Sequence, residues 1–267
     1  MIQRLLTFSA LWLLCSCSTL PNPYQAGLSG GASGTGLAIL KKSAESHGNR
    51  WDRFEKVEVS YSGTWAKMAT RIQPVLTDSE FRKSSEESYF PRSGIVVQEH
   101  RGPGGSKSVR QTGDEVSISY NGTPSQDSEQ RDASSLVVDA YTAFLFGPSW
   151  VLSEGQEFRL LASEEIEGEA CDLVAATLRP GLGRAEEDQV IAWISRKSGW
   201  MRRLQFTLNG LESTKGADVD VVFSEMRKAD DGSVWPTQFL ERVQRPLAIK
   251  AHEWRMNRLI LDGKKAF

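Results

Sequence analysis

Strict alternation of apolar and polar residues constrains this chain more than any other feature it carries. Val57, Val59, Tyr61, Gly63 and Trp65 alternate with Glu58, Ser60, Ser62 and Thr64. Successive side chains of an extended strand point to opposite faces, so this run predicts a half-buried strand of an antiparallel sheet. Strand-like runs then recur at short spacing. Phe81 to Phe90 reads as a polar, exposed strand, and Gly94 to His100 carries Ile95, Val96 and Val97. Val116, Ile118 and Tyr120 alternate before Asn121-Gly122, a hairpin signal. Further candidates run over 158–166, 170–178, 190–194, 201–208, 219–226, 234–243 and 249–261. Gly102-Pro103-Gly104-Gly105, Pro180-Gly181, Ser198-Gly199, Asn209-Gly210 and Asp231-Gly232 punctuate them. Regular short strands between turns predict a sheet, sandwich or barrel.

Two segments break the β rhythm. Thr35 is an expected N-cap for a helix carrying Leu37, Ile39, Leu40 and Ala44, with Gly48 as its stop. Asp132 is an expected cap for a second helix that runs through Leu136, Val138, Tyr141 and Phe144 to a stop at Gly147-Pro148. This second helix is apolar on most sides, so it is buried or covers something apolar.

The N-terminus reads differently. Arg4 precedes the apolar run Leu5 to Leu14, which suits the core of a secretory signal and is too short for a membrane span of roughly 20 residues. Leu14-Cys15-Ser16-Cys17 resembles a bacterial lipobox, with a small residue before the cut. The expectation is a signal peptide over 1–16, with lipid attached to Cys17 as a membrane anchor. The alternatives are an ordinary cleaved signal or an uncut signal anchor. Ser18 after the cysteine implies, by analogy with Gram-negative lipoproteins, an outer-membrane location facing the periplasm. Residues 17–34 are rich in Pro, Gly and Ser and read as a flexible tether. Residues 35–267 are then one domain, of a size that undivided β barrels and sandwiches reach.

Chemistry is sparse. The formal net charge of -2 provides no electrostatic footprint for nucleic acid. His47, His100 and His252 form no local metal motif, no nucleophile elbow occurs, and neither metal nor cofactor is expected. His47 is placed to cap a helix end. Once Cys17 is lipidated, Cys171 is the remaining thiol and reads as a small buried hydrophobe. No enzymatic activity is expected.

Several stretches together resemble the LolA/LolB-like outer-membrane lipoprotein-sorting proteins. These are His47-Gly48-Asn49-Arg50-Trp51, Gly63-Thr64-Trp65, Phe144-Leu145-Phe146-Gly147-Pro148, Asp188 to Ser195, Ser198 to Phe206, and His252-Glu253-Trp254. The resemblance implies a mainly β (α+β) fold, a curved antiparallel open half-barrel with helices covering the concave face. It also implies a concavity that holds lipid or the acyl chains of a lipoprotein. Trp65, Phe144, Trp193, Phe206, Phe223 and Trp254 are the expected cavity residues. The alternative is a structural or protein-interaction lipoprotein in which the same aromatics fill a closed core. The sequence sets no oligomeric state.

Overall fold

The structure is a computed structural model that describes residues 19–26 and 33–267. The expected signal peptide and Cys17 lie outside the described residues. The chain first lays down a meander of β1 (Val57–Trp65), β2 (Ser84–Phe90), β3 (Ile95–Gly102), β4 (Gly105–Thr112), β5 (Glu115–Tyr120) and β6 (Thr123–Pro124). After a helical interlude come β7 (Gly155–Leu160), β8 (Glu164–Ile166), β9 (Glu169–Leu178), β10 (Asp188–Ser195), β11 (Met201–Thr207) and β12 (Asp218–Ser224). A separate ribbon of β13 (Arg227–Lys228) and β14 (Val234–Trp235) precedes β15 (Gln238–Arg245), β16 (Ile249–Leu261) and β17 (Lys264–Lys265).

Among the described residues, 15 strands form one antiparallel sheet, in the order β6-β5-β4-β3-β2-β1-β16-β15-β12-β11-β10-β9-β7 with β8 and β17 alongside. Strand β16 joins the two runs by pairing with β1 from Val57 opposite Leu261 to Trp65 opposite His252. The end strands β6 and β7 do not pair with each other, so the sheet stays open. The result is a mainly β half-barrel with helices. Asn121 and Gly122 both take positive φ (50° and 80°), as the primed hairpin turn between β5 and β6 requires.

Helices close the concave side, except α1 (Pro23–Ala26), which packs on the outer face. Helices α1 and α2 (Ser33–His47) come first, followed by α3 (Arg50–Arg53), α4 (Lys67–Ile72) and α5 (Pro74–Thr77). Helix α6 (Ser128–Phe146) runs directly into α7 (Pro148–Glu154). Helix α6 starts earlier than expected. Asp127, with extended backbone, accepts a hydrogen bond from the Gln130 amide at 3.0 Å and is the cap. Asp132 instead pairs with Arg184 at 3.3 Å. From Ala133 to Phe146 almost every residue of α6 is buried, as its nearly all-round apolar surface requires. Phe146 packs against Trp51, Tyr89 and Trp235 at ring distances of 4.9, 5.7 and 6.2 Å. Gly147 turns the corner at φ 57°, and a Cβ there would sit 2.6 Å from Arg50 Nη2. The Gly147-Pro148 stop is therefore a corner, with Pro148 opening α7.

Three further expectations change. The segment read as a polar, exposed strand buries Ser85, Glu87 and Tyr89. Its inward polar groups satisfy one another: Ser85 Oγ donates to Glu87 at 2.6 Å, and the Tyr89 hydroxyl donates to the same carboxylate. His47 does not cap its helix. Its Nε2 accepts the Met201 amide at 3.0 Å, which places the proton on Nδ1, 3.2 Å from the Val234 carbonyl. Burial and the Arg50 charge push its pKa down to about 3, so the ring stays neutral. Residues 19–26, read as part of a tether, lie against the outer face of the sheet. Gln205 Nε2 donates to the Pro21 carbonyl at 2.6 Å, and the Tyr24 hydroxyl donates to Asn209 at 2.8 Å.

Candidate functional site

At one end of the half-barrel a cavity of ≈ 270 Å³ opens between the sheet, α6 and the α4–α5 pair. That exceeds the roughly 150 Å³ of a dry cavity that admits a benzene-sized guest. Helix α6 supplies the floor with Leu136, Val137, Ala140 and Phe144. Strands supply the walls: Phe206 from β11, Val219 from β12, Val243 from β15 and Ala251 from β16. Ala69, Ile72 and Leu76 of α4 and α5 form a roof. Gln73, at the α4–α5 junction, ties that roof across the opening. Its Nε2 donates to the Ser213 carbonyl at 2.8 Å, and its Oε1 accepts the Ser213 hydroxyl at 3.2 Å.

The lining is mostly apolar; Gln73, Thr77, Ser213, Thr214 and Lys215 add polar groups, and two further charged residues, Arg82 and Glu241, also face the cavity at its inner wall. Arg82 is 5% exposed and donates to the Leu76 carbonyl at 2.8 Å, and its guanidinium lies over the rings of Trp65 and Tyr141 at 5.0 and 5.3 Å. Glu241 projects from β15 into the same wall. Burial raises its pKa to about 7, against the attraction of Arg82. Beyond Arg82 a polar row continues along the inner face of β2, β3 and β4. His100 lies 3.2 Å from Gln98, and Lys107 donates to Asp78 at 2.7 Å, tying the chain after α5 to the sheet. His252 stacks between Trp65 and Trp254 at 3.9 and 4.7 Å, with Nδ1 3.0 Å from the Tyr141 hydroxyl. The three histidines thus take backbone, Gln98 and Tyr141 as partners.

The aromatic residues expected from sequence divide three ways. Trp65, Phe144 and Phe206 border the cavity. Phe223 and Trp254 sit behind it in packed core: Trp254 stacks on Phe239 and Tyr141 at 4.9 and 5.2 Å, and Phe223 lies 6.3 Å from Phe144. Trp193 is a correction. It faces the other side of the sheet, 1% exposed, in a cluster with Leu173, Ile191 and Val222 and beneath the Arg203 guanidinium at 4.4 Å. Its neighbours Ala192 and Ile194 take the inner face. Both faces of β10 are buried, so no polar face fixes which residues look inward. Arg82, Glu241 and the roof residues escaped the sequence reading. Helices of four and six residues are too short to show a period, and a lone charge within a strand-like run gives no sign of the face it occupies.

An open, helix-filled half-barrel with an apolar chamber at one end is the class that this architecture defines. Solved structures similar to it include a DUF1329 family protein from Desulfovibrio piger, 13% identical, with TM-score 0.50 over 87% of this chain and 94% of that one. A LolA superfamily protein from Nitrosomonas europaea is 11% identical, with TM-score 0.49 over 84% and 92%. A putative outer membrane lipoprotein-sorting protein domain from Vibrio parahaemolyticus is 9% identical, with TM-score 0.44 over 86% and 93%. At these identities the likeness is one of fold. No family model matches the chain, and no curated protein matches it.

Proposed function

We propose that this chain is an exported lipoprotein, anchored through lipid on Cys17 at the periplasmic face of the outer membrane, whose chamber holds a lipid or the acyl chains of a lipoprotein. The chamber carries the proposal: an apolar space walled by Phe144, Phe206, Val219 and Leu136 and open at one end gains by receiving an apolar guest. The role is binding and handling of lipid, without catalysis. The lipobox-like Cys17 and the resemblance in sequence to LolA/LolB-like proteins agree with it. Native mass spectrometry of the full chain, matured in a bacterial host, tests the reading. The expected result is an acylated N-terminal peptide together with a second lipid that solvent extraction removes. A second reading draws on the solid packing of Phe223, Trp254 and Phe239: an interaction lipoprotein with no guest. An acylated chain that stays free of a second lipid after incubation with vesicles and acylated peptide establishes that reading and ends the first.

A further inference from the structure

The described residues expose three large hydrophobic side chains: Met68, Ile72 and Leu247, at 49, 51 and 49%. They are not scattered. Met68 and Ile72 stand four apart on α4 and so share a face. Ile72 and Leu247 both line the chamber mouth, and α4 is tied to β16 through the Ala66 amide and the Ala251 carbonyl at 2.9 Å. Apolar residues gathered at the entrance of an apolar chamber mark a surface that meets another apolar phase.

The N-terminal strap says which phase. Arg245 is the residue immediately before Pro246 and Leu247. Its guanidinium binds Asp218 at 2.7 Å and also donates to the Leu20 carbonyl, while Gln205 holds the neighbouring Pro21 carbonyl at 2.6 Å. The strap therefore ends beside the mouth. Cys17 lies three residues before Leu20, so even a fully extended chain places it within roughly 11 Å of that point. Lipid on Cys17 is then held beside the rim, where a free tether of the whole segment would wander over roughly 20–25 Å. The charge is also complementary to a lipid surface. Lys67 and Arg71 of α4 are exposed and enter no ion pair among the described residues, and such cations favour anionic headgroups. Lys215 borders the mouth but is paired with Glu212.

We infer that the rim formed by α4 and the Pro246-Leu247 turn rests on the membrane, with Met68, Ile72 and Leu247 among the headgroups, so that the chamber opens directly onto the bilayer. This rests on the proposed lipidation of Cys17. Lipid then enters and leaves without exposing its chains to water, and amphipathic faces of this composition lie within the interface without spanning it.

The test uses the lipidated full chain in vesicles of phosphatidylethanolamine and phosphatidylglycerol. Ile72→Cys, Leu247→Cys and, as the distant control, Ser117→Cys are each labelled with a polarity-sensitive fluorophore; Cys171 is buried and stays unlabelled. The expected result is a blue shift at Ile72 and Leu247, with emission lost to lipid-borne nitroxide, and neither effect at Ser117. Vesicle-bound protein whose rim labels remain in water overturns the docking inference alone. Protein that does not associate with vesicles at all overturns both the anchor and the docking. A shift at the rim that follows protein concentration and ignores the nitroxide assigns the surface to a second copy of the chain and likewise overturns the inference.

Discussion

The two halves of the sheet bury different things. In β9 to β12 and β15 both faces are covered: Val190, Ala192, Leu204 and Val221 look toward α6, while Leu173, Ile191, Trp193 and Val222 pack on the outside beside Ala26. In β2 to β4 the outer face is wet, and part of the inner face is polar, with Ser85, Glu87, Gln98, His100 and Lys107 all buried. The polar half does not shape the chamber. It holds what covers the chamber: Lys107 and Tyr120 both bind Asp78 at the end of α5, at 2.7 and 2.8 Å, and Arg82 grips the α5 carbonyls. One half provides apolar volume, and the other fixes the element that roofs it. Hydrophobic packing is tolerant of position, whereas hydrogen bonds specify register, so the division separates a part that must accommodate from a part that must hold.

Four substitutions sharpen or break this division. The largest loss is expected from Phe146→Ala, which empties the meeting point of Trp51, Tyr89 and Trp235 between the two halves. It should cost about 3–5 kcal/mol, read as a lower midpoint in urea unfolding, because no polar group can compensate. Glu87→Ala comes next. It strands the donors on Ser85, Tyr89 and Gln98, for an expected loss of about 1–3 kcal/mol, with Glu87→Gln recovering most of it. A stable Glu87→Ala protein in the same unfolding assay means that the polar half is not held by its hydrogen bonds.

Ala140→Trp acts on the chamber alone. Its side chain projects from the floor, so affinity for an apolar fluorophore should fall about tenfold or more, equivalent to about 1.4 kcal/mol, while circular dichroism stays unchanged. Undiminished binding places the guest elsewhere and dissolves the distinction between the halves.

The gentlest effect is graded with pH. Glu241, with Arg82 favouring its charge and Asp220 opposing it, has its pKa raised by burial from 4.5 to about 7. A carboxyl whose folded pKa lies above the unfolded one stabilises while protonated. That contribution is whole below pH 4.5 and lost as pH rises through about 7. An apolar guest completes the burial, so it should bind more tightly at pH 6 than at pH 8, and Glu241→Gln should level the difference in the same fluorophore titration. A pH dependence that survives in Glu241→Gln assigns it to another group.

Much of this was legible in sequence because alternation survives wherever one face is wet. Val57 to Trp65 and Ile249 to Leu261 are strands with the expected bounds, and the apolar run ending at Phe146 is the buried helix. The reading fails where the same physics removes the signal. Trp193 has buried neighbours on both sides, so its face is unmarked. Glu87 and Ser85 look like surface because they sit in a polar run, and the pairing of Glu87 with Gln98 comes from the neighbouring strand. Residues 19–26 have the composition of a linker, yet Gln205, Asn209 and Arg245 hold them from some two hundred residues away. Local composition cannot register such partners.

Leaving the half-barrel open has a consequence for self-association. An unpaired strand edge invites another chain to add a strand and so seeds polymerisation. Both free edges of this sheet are blunted. At one, β6 is two residues long and ends in Pro124, which has no amide hydrogen to offer. At the other, α2 lies so close that a Cβ on Gly36 would stand 2.9 Å from the backbone of Arg159, and β7 carries a bulge between Gln156 and Arg159 with Glu157 at φ 54°. The chamber can therefore stay open at one end without the sheet presenting an open ladder to other copies of the chain.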